Sequence, residues 1–130
     1  MDIGNVRVGV AVSDPTQTIS TPLNGLIRKN AIRGIEKICS ERDIVLILVG
    51  MPYLPSGELG TQANITEQFI ATLKLSTKIP IQIVDERMST IEAKKRLTEA
   101  GHKHKNGLRQ KGIIDSASAA VFLDEYIKYR

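Results

Sequence analysis

The hydrophobic positions of this chain fall into runs with strand spacing and runs with helical spacing. Three valines alternate with smaller residues within residues 7–13, a pattern typical of a strand. Residues 44–49 form a continuous run of β-branched and leucine residues, typical of a strand buried on both faces, and residues 79–84 are also predicted to form a buried strand. Residues 18–26 form a weaker strand candidate, because Pro22 interrupts it.

Four further segments predict helices. We expect Asn30 to cap the first helix, which continues to about residue 43. The second helix follows a Gly- and Pro-rich loop, the third begins with a capping box at Ser89 and ends at Gly101, and the last covers about residues 112–129. The core-facing positions of the first two helices share one stripe each: Ile32, Ile35, Ile38 and Cys39 in the first, and Ile65, Phe69, Ile70 and Leu73 in the second.

The order of these elements predicts the class of fold. An antiparallel start is followed by strands that alternate with helices, which indicates an α/β layer with parallel strands joined by crossover helices. The length of 130 residues fits a single domain, residues 1–130. Ligands of such sheets gather at the carboxyl ends of the strands.

Composition narrows the functional classes. One cysteine, Cys39, excludes a disulfide framework and a zinc site built on cysteines, and we expect it to pack in the core. No apolar run approaches 18 residues, so we expect a cytoplasmic protein with no membrane partner. The net charge of +4 and the pI of about 9.3 favour a polyanionic partner.

The positive charge is concentrated in one predicted loop. Residues 101–114 contain no acidic residue, and this segment carries four of the chain's basic side chains: Lys103, Lys105, Arg109 and Lys111. Such a run is often only a solvated surface loop. Its position directly before Asp115 favours contact with a nucleic-acid backbone equally well.

Three carboxylates occupy positions suited to a divalent-metal site. Asp2 opens a Gly-containing turn between two strands, Glu86 follows the strand at 79–84, and Asp115 begins the last helix. Hard cations such as Mg²⁺ prefer carboxylate oxygens and keep positions open for water and phosphate. Strand alternation directs Asp85 and Glu86 to opposite faces, so only one of the two is expected to reach such a site.

Each of these residues also has a simpler interpretation. Asp2 could form only a local turn, and its D-x-G pattern occurs in actin-like ATPases, although those folds need two large lobes. Glu86 could pair with Arg87 or cap the following helix. Asp115 could be a helix-start charge favoured by the helix dipole, and Asp124 is interpreted as a surface residue.

Four motifs in register resemble one known family. The segments are residues 2–14 (DIGNVRVGVAVSD), 49–63 with V-G-M-P and Q-A, 85–93 (DERMSTIEA) and 115–120 (DSASAA). Together they resemble the YqgF/RuvX family, whose members are described as Holliday junction resolvases and as pre-16S rRNA nucleases. The similarity covers essentially the whole chain.

The resemblance implies a ribonuclease H-like fold, with a mixed sheet flanked by helices on both faces. It also implies a nuclease that depends on Mg²⁺ or Mn²⁺, with Asp2, Glu86 and Asp115 as catalytic metal ligands, and it selects Glu86 over Asp85. Arg7 and Arg87 are then expected to contact phosphate, and the basic loop to hold the nucleic-acid backbone.

The expected substrate is the 5′ end of precursor 16S rRNA, and ribosomal particles are a further expected partner. Two alternatives stay open: a Holliday junction resolvase on branched DNA, and a non-catalytic module that binds RNA or the ribosome. Oligomeric state is not predicted.

The chain departs from the family at its start. Family members usually have several apolar residues before the first aspartate, whereas here only Met1 precedes Asp2. We therefore expect either a first strand shortened to a stub or a start that lies upstream. In the shortened form, the terminal ammonium would compete with a metal ion for the Asp2 carboxylate.

Overall fold

The computed structural model describes residues 1–85 and 113–129, with the side chains of the last helix described from Ser116 onward. Seven strands, one short 3₁₀ helix and three α-helices fall in these ranges. In chain order they are β1 (Asp2–Ile3), β2 (Arg7–Gly9), β3 (Ala11–Ser13), β4 (Ser20–Pro22), β5 (Leu26–Ile27), the 3₁₀ helix Arg28–Asn30, α1 (Ala31–Glu41), β6 (Ile47–Met51), α2 (Thr61–Ser76), β7 (Ile81–Asp85) and α3 (Ile113–Tyr129).

The main sheet has five strands in the order β5-β2-β1-β6-β7, so β1, which has only two residues, lies in the centre. β1 is antiparallel to β2 and parallel to β6, and β6 is parallel to β7. A helix connects the parallel strands β6 and β7, as their geometry requires. The predicted α/β architecture, with an antiparallel start and a parallel continuation, is confirmed.

A tight turn joins β1 to β2. The Gly4 N–H donates to the Arg7 carbonyl over 2.8 Å, and a Cβ at position 4 would lie 2.7 Å from that same oxygen. Only glycine permits this approach, because its missing side chain leaves room for the carbonyl. The turn thereby holds β1 against β2 in one register.

Helices cover both faces of the sheet. On one face, α1 and α2 bury a core that we call the first core, and on the other face α3 buries a second core. The first core includes Ile3, Val8, Ile35, Ile47, Val49, Met51, Phe69, Ile70 and Leu73. The second core consists of Leu48, Ala119 and Phe122, with Ala11, Leu46, Val84, Leu123 and Tyr126 packed against it.

The strand predicted for residues 7–13 is divided in two by Val10. Its N–H donates to the Ser116 hydroxyl over 3.0 Å, and its carbonyl accepts from the Leu23 N–H over 2.8 Å. β2 therefore stays in the main sheet, whereas β3 pairs with β4 as a separate two-stranded sheet. Alternation of valines alone could not reveal this change of partner.

Asp14 organises the loop between β3 and β4. Its carboxylate accepts hydrogen bonds from the Thr16 and Thr18 hydroxyls and from the backbone N–H groups of Thr18 and Ile19, the latter two over 2.7 and 2.9 Å. These donors, led by the Thr16 hydroxyl, hold the pKa of the Asp14 carboxyl below its usual range. The ionised side chain thus adds to the backbone bond from the Asp14 N–H to the Ile19 carbonyl, 3.1 Å, and closes this hairpin.

Several predicted boundaries and environments are corrected. Asn30 precedes α1 but makes no side-chain capping bond. β6 begins at Ile47, because residues 44–46 precede the pairing with β7. Among the described strands, β7 lies at one edge of the sheet rather than being buried on both faces, and Ile83 is 46% exposed.

The predicted packing of Cys39 is confirmed, whereas two other predictions concern residues that the structure does not describe. Cys39 is half-buried against the first core, and burial raises the pKa of its thiol. The predicted third helix and the basic loop lie outside the described residues.

Two leucines of α2 provide a test of the first core. Leu73 is fully buried, so Leu73→Ala should lower the free energy of unfolding by about 2–5 kcal/mol. Leu75, two residues away on the same helix, is 89% exposed, and Leu75→Ala should change the stability by less than about 0.5 kcal/mol. Urea denaturation of both variants measures the difference, and equal losses would contradict the assigned face of α2.

Candidate active site at the ends of the central strands

Asp2 lies in the central strand, paired on both sides. Its backbone is opposite Gly9 of β2 and Gly50 of β6. The flanking residues, Met1 and Ile3, belong to the first core, so strand alternation directs the half-buried Asp2 side chain to the face that α3 covers. The two glycines opposite Asp2 carry no side chains that would crowd it.

The paired residues Gly9, Asp2 and Gly50 have a further neighbour in β7. Gly50 is paired with Val84, whose side chain packs against the second core. The Tyr126 hydroxyl of α3 donates to Gln82 Oε1 over 3.3 Å, which confirms that Gln82 and Val84 face α3. By strand alternation Asp85 therefore faces away from α3. Glu86 itself, the next residue, lies outside the described residues.

Asp115 belongs to the first turn of α3, and its side chain lies outside what the structure describes. The next residue, Ser116, is fully buried and accepts the hydrogen bond from Val10. Val10 follows Gly9, the backbone partner of Asp2. This bond therefore fixes the start of α3 beside the strand pair that carries Asp2.

Of the residues predicted to contact phosphate, Arg7 is the one that lies within the described residues. It begins β2 and is half-buried. Since Gly9 is opposite Asp2 and Arg7 is two residues before Gly9, both side chains lie on the α3 face of the sheet. The remaining predicted contacts lie outside the described residues: Arg87, Lys103, Lys105, Arg109 and Lys111.

Comparison with known proteins adds an independent observation. The sequence pattern of the family described as "RuvX: Holliday junction resolvase" matches residues 1–129. The chain belongs to the RuvX family.

Curated relatives of the chain carry the name "Putative pre-16S rRNA nuclease". One from Microcystis aeruginosa is 35% identical over 133 residues, which cover 100% of this chain and 90% of the relative. One from Halothermothrix orenii is also 35% identical over 133 residues, covering 93% of the relative. One from Roseiflexus is 30% identical over 130 residues, covering 98% of this chain.

Membership in the RuvX family agrees with the observed topology. The five-stranded mixed sheet with helices on both faces is the ribonuclease H-like fold of this family. Within residues 1–85 and 113–129, no helix is long and apolar enough to cross a membrane.

Two side chains without a predicted role support the RuvX site. Gln62, in the first turn of α2, donates from Nε2 to the Ile3 carbonyl over 2.7 Å and thereby holds the end of β1. Ser116 holds the start of α3. Both lie in motifs that sequence analysis recognised, but neither pattern indicates which backbone group the side chain would reach.

A correction concerns Asp124, which was interpreted as a surface residue. It is half-buried, and its Oδ1 accepts the Ser20 N–H over 3.1 Å. The Ser20 hydroxyl also donates to the Ala120 carbonyl over 2.8 Å. These bonds attach β4 to α3, which explains why a charged residue faces inward here.

The candidate ligands at this site are carboxylates, which suit a hard cation. Asp2 is paired with Gly9, and the residue after Asp115 bonds to Val10, the residue after Gly9. Both aspartates are oxygen donors of the kind that Mg²⁺ and Mn²⁺ prefer. In the described part of the chain, which omits Glu86, no group of three or more His, Cys, Asp or Glu side chains could hold a metal ion. The residues fit such an ion, and their role as ligands stays a prediction.

The bond between Ser116 and Val10 provides a test of how α3 is positioned. Ser116→Ala leaves a buried N–H without its acceptor, so the free energy of unfolding should fall by about 1–3 kcal/mol. The control Ser40→Ala removes an exposed hydroxyl that donates to the Lys37 carbonyl, and should change the stability by less than about 0.5 kcal/mol. Urea denaturation compares the two, and an unaffected Ser116→Ala protein would refute this account.

Proposed function

We propose that this protein is a nuclease that depends on a divalent metal ion and acts on structured RNA, in the processing of the 5′ end of precursor 16S rRNA. The printed name of the curated relatives supports the substrate. The observation that carries the proposal is the position of Asp2, which is held in the centre of the sheet and faces the helix that begins around Asp115.

Asp2, Glu86 and Asp115 would hold the metal ion or ions through carboxylate oxygens. Mg²⁺ or Mn²⁺ bound there supplies a water of lowered pKa and an electrophile for the phosphate oxygens. The task of the protein is to hold the three carboxylates in one geometry. The pairing of β1 on both sides and the Ser116–Val10 bond are the constraints that do so for Asp2 and the start of α3.

Substrate binding would depend on the basic side chains. Arg7 shares a face of the sheet with Asp2, so its guanidinium is suited to a phosphate adjacent to the reacting one. Arg87 and the loop with Lys103, Lys105, Arg109 and Lys111 would contact the backbone farther out. Because such contacts read charge and shape, the expected substrate is a folded nucleic acid rather than a defined single-stranded sequence.

A second candidate is cleavage of branched DNA by the same chemistry. The description of the matching family, Holliday junction resolvase, favours it. Parallel digestion of precursor rRNA and of four-way junction DNA by one preparation distinguishes the substrates. Under our proposal the RNA is cleaved and the junction is left intact, and the opposite preference would assign the protein to junction resolution.

Three carboxylate variants test the catalytic assignment. Asp2→Asn and Glu86→Gln each remove a metal ligand, so cleavage of precursor rRNA with Mn²⁺ should fall by more than about 100-fold. Asp85→Asn is the matched control, because Asp85 neighbours Glu86 but faces away from α3, and its activity should stay within about threefold of the wild type. The readout is the initial rate at saturating metal.

Folding and binding must be measured on the same variants. We expect unchanged melting temperatures and near-normal RNA affinity for Asp2→Asn and Glu86→Gln, since the substitutions remove charge but little volume. Normal cleavage by either variant would refute the assigned site. RNA binding by the wild type without cleavage at any metal concentration would instead identify a non-catalytic binding module.

A further inference from the structure

Three basic side chains lie just after β5, and none of them belongs to the predicted phosphate contacts. Arg28 and Lys29 follow β5 in the 3₁₀ helix, and Arg33 lies in the first turn of α1. Lys29 and Arg33 are exposed, and Arg28 is half-buried. We call these three side chains the β5 patch.

The topology of the sheet brings the β5 patch to the edge that carries the candidate active site. β2 is antiparallel to both β1 and β5, so β5 is parallel to β1. β6 and β7 are also parallel to β1, so all four strands end at this edge. Neighbouring strands lie about 4.8 Å apart and β5 is two strands from β1, so the patch begins about 10 Å from the strand of Asp2. β7, which Glu86 follows in the chain, lies on the other side of β1.

Arg28 connects the patch to the turn that follows Asp2. Its backbone N–H donates to the Val6 carbonyl over 2.8 Å, and its Nη1 lies 3.5 Å from the Gly4 carbonyl. Gly4 is two residues after Asp2 in the chain. The positive charge of the patch therefore extends to the carboxyl end of the central strand.

The charge of the patch is not neutralised by neighbouring carboxylates. Residues 15–35 contain no Asp or Glu. Glu36 lies three residues after Arg33, but the salt bridge observed in α1 joins Lys37 to Glu41, over 3.9 Å. Within the described residues, no side chain of the β5 patch forms a salt bridge. A net positive surface results.

This charge does not serve the stability of α1. The amino end of a helix carries a partial positive charge, so acidic side chains are favourable there and basic ones are not. The first turn of α1 contains no acidic residue, and Asn30 makes no side-chain capping bond. A bound anion would relieve the repulsion, so this surface suits a polyanion.

The composition of this part of the chain indicates which form of nucleic acid fits. No His, Phe, Tyr or Trp precedes Tyr53, so β1 to β5 and α1 offer no aromatic ring on which an unpaired base could stack. Guanidinium and ammonium groups bind phosphates and do not read bases in this way. Double-helical RNA, which presents phosphates and keeps its bases paired, therefore fits better than a single strand.

We propose that the β5 patch holds the phosphate backbone of a double-helical arm of the RNA substrate, a few nucleotides from the phosphate at the candidate active site. This inference rests on the proposed function and specifies the form of its substrate. The cleaved strand would be flanked by a helix that follows the edge of the sheet from β1 toward β5. The patch contributes to binding and takes no part in breaking the bond.

Two double variants with the same loss of charge test the patch. Lys29→Gln with Arg33→Gln removes its two exposed cations and leaves Arg28, which contacts the turn, in place. The matched control, Arg42→Gln with Lys74→Gln, also removes one exposed arginine and one exposed lysine. These two lie at the carboxyl ends of α1 and α2, which lead to the opposite edge of the sheet.

Binding is measured by fluorescence anisotropy without divalent metal, so that no cleavage occurs. The probes are an RNA duplex of about 16 base pairs and a single-stranded oligouridine with the same number of nucleotides. The patch variant should bind the duplex at least about tenfold more weakly, and its log–log salt dependence should decrease by about 2, because two phosphate contacts are lost. The control should stay within about threefold of the wild type, as should both variants with oligouridine.

Cleavage and stability separate a binding role from a structural one. With Mn²⁺ and precursor rRNA, the patch variant should have a KM raised about tenfold and a kcat within about threefold of the wild type, because the patch lies away from the reacting phosphate. Its melting temperature should not fall, since cations at the amino end of α1 do not stabilise that helix.

Three results would overturn the proposal. One is equal duplex affinity of the patch variant and the control. Another is an equal loss of duplex and oligouridine binding, which would indicate contact with a single strand. The third is a lower melting temperature of the patch variant, which would indicate a structural role.

Failure of the proposed function has a different signature. A wild-type protein that binds the duplex through the patch but cleaves no RNA supports the patch and refutes the nuclease. Normal cleavage combined with unchanged binding by the patch variant refutes the patch alone. A wild-type protein that does not bind RNA refutes both.

Discussion

The structure depends on the backbone pairing of a two-residue strand. β1 pairs with β2 along one edge and with β6 along the other, and Asp2 lies opposite Gly9 and Gly50 in these pairs. The Gly4 turn fixes its register at one end, and the Gln62 amide holds the Ile3 carbonyl. Without these contacts the central position of the sheet would be vacant and Asp2 would have no fixed orientation, because so short a segment has little stability of its own.

A second constraint sets α3 against the sheet. Ser116 is buried completely and still makes a hydrogen bond, to the residue at which the chain leaves the main sheet. A buried hydroxyl without a partner would be costly, so this contact favours one position of the helix over its neighbours. About two turns later along α3, the hydrogen bonds of Ser20 to Asp124 and Ala120 likewise attach the helix to a strand. Together the bonds place the start of the helix beside the strand pair of Asp2.

Sequence patterns predict which segments form strands and helices better than they predict which strands pair with each other. The alternating valines reveal a strand, but the division at Val10 depends on Ser116, which is 106 residues away in the chain. The strand at 79–84 has the composition of a buried strand, yet β7 lies at one edge among the described strands, because burial depends on sheet order rather than composition. Within β7, alternation assigns Val84 to the α3 face and Asp85 to the other, since that rule is local to one strand. The positions of the candidate carboxylates at strand and helix ends suggest a metal site, and the family motifs favour that interpretation over the simpler ones.

The proposed function requires Asp2 and Asp115 to bind the same metal site. Anomalous diffraction from crystals grown with Mn²⁺ tests it most directly. We predict an anomalous peak at coordination distance, about 2.2 Å, from carboxylate oxygens of both Asp2 and Asp115. If the Asp2 and Asp115 side chains are well ordered but no such peak appears at saturating Mn²⁺, the claim is contradicted. A Mn²⁺ peak coordinated only by other residues would contradict it equally.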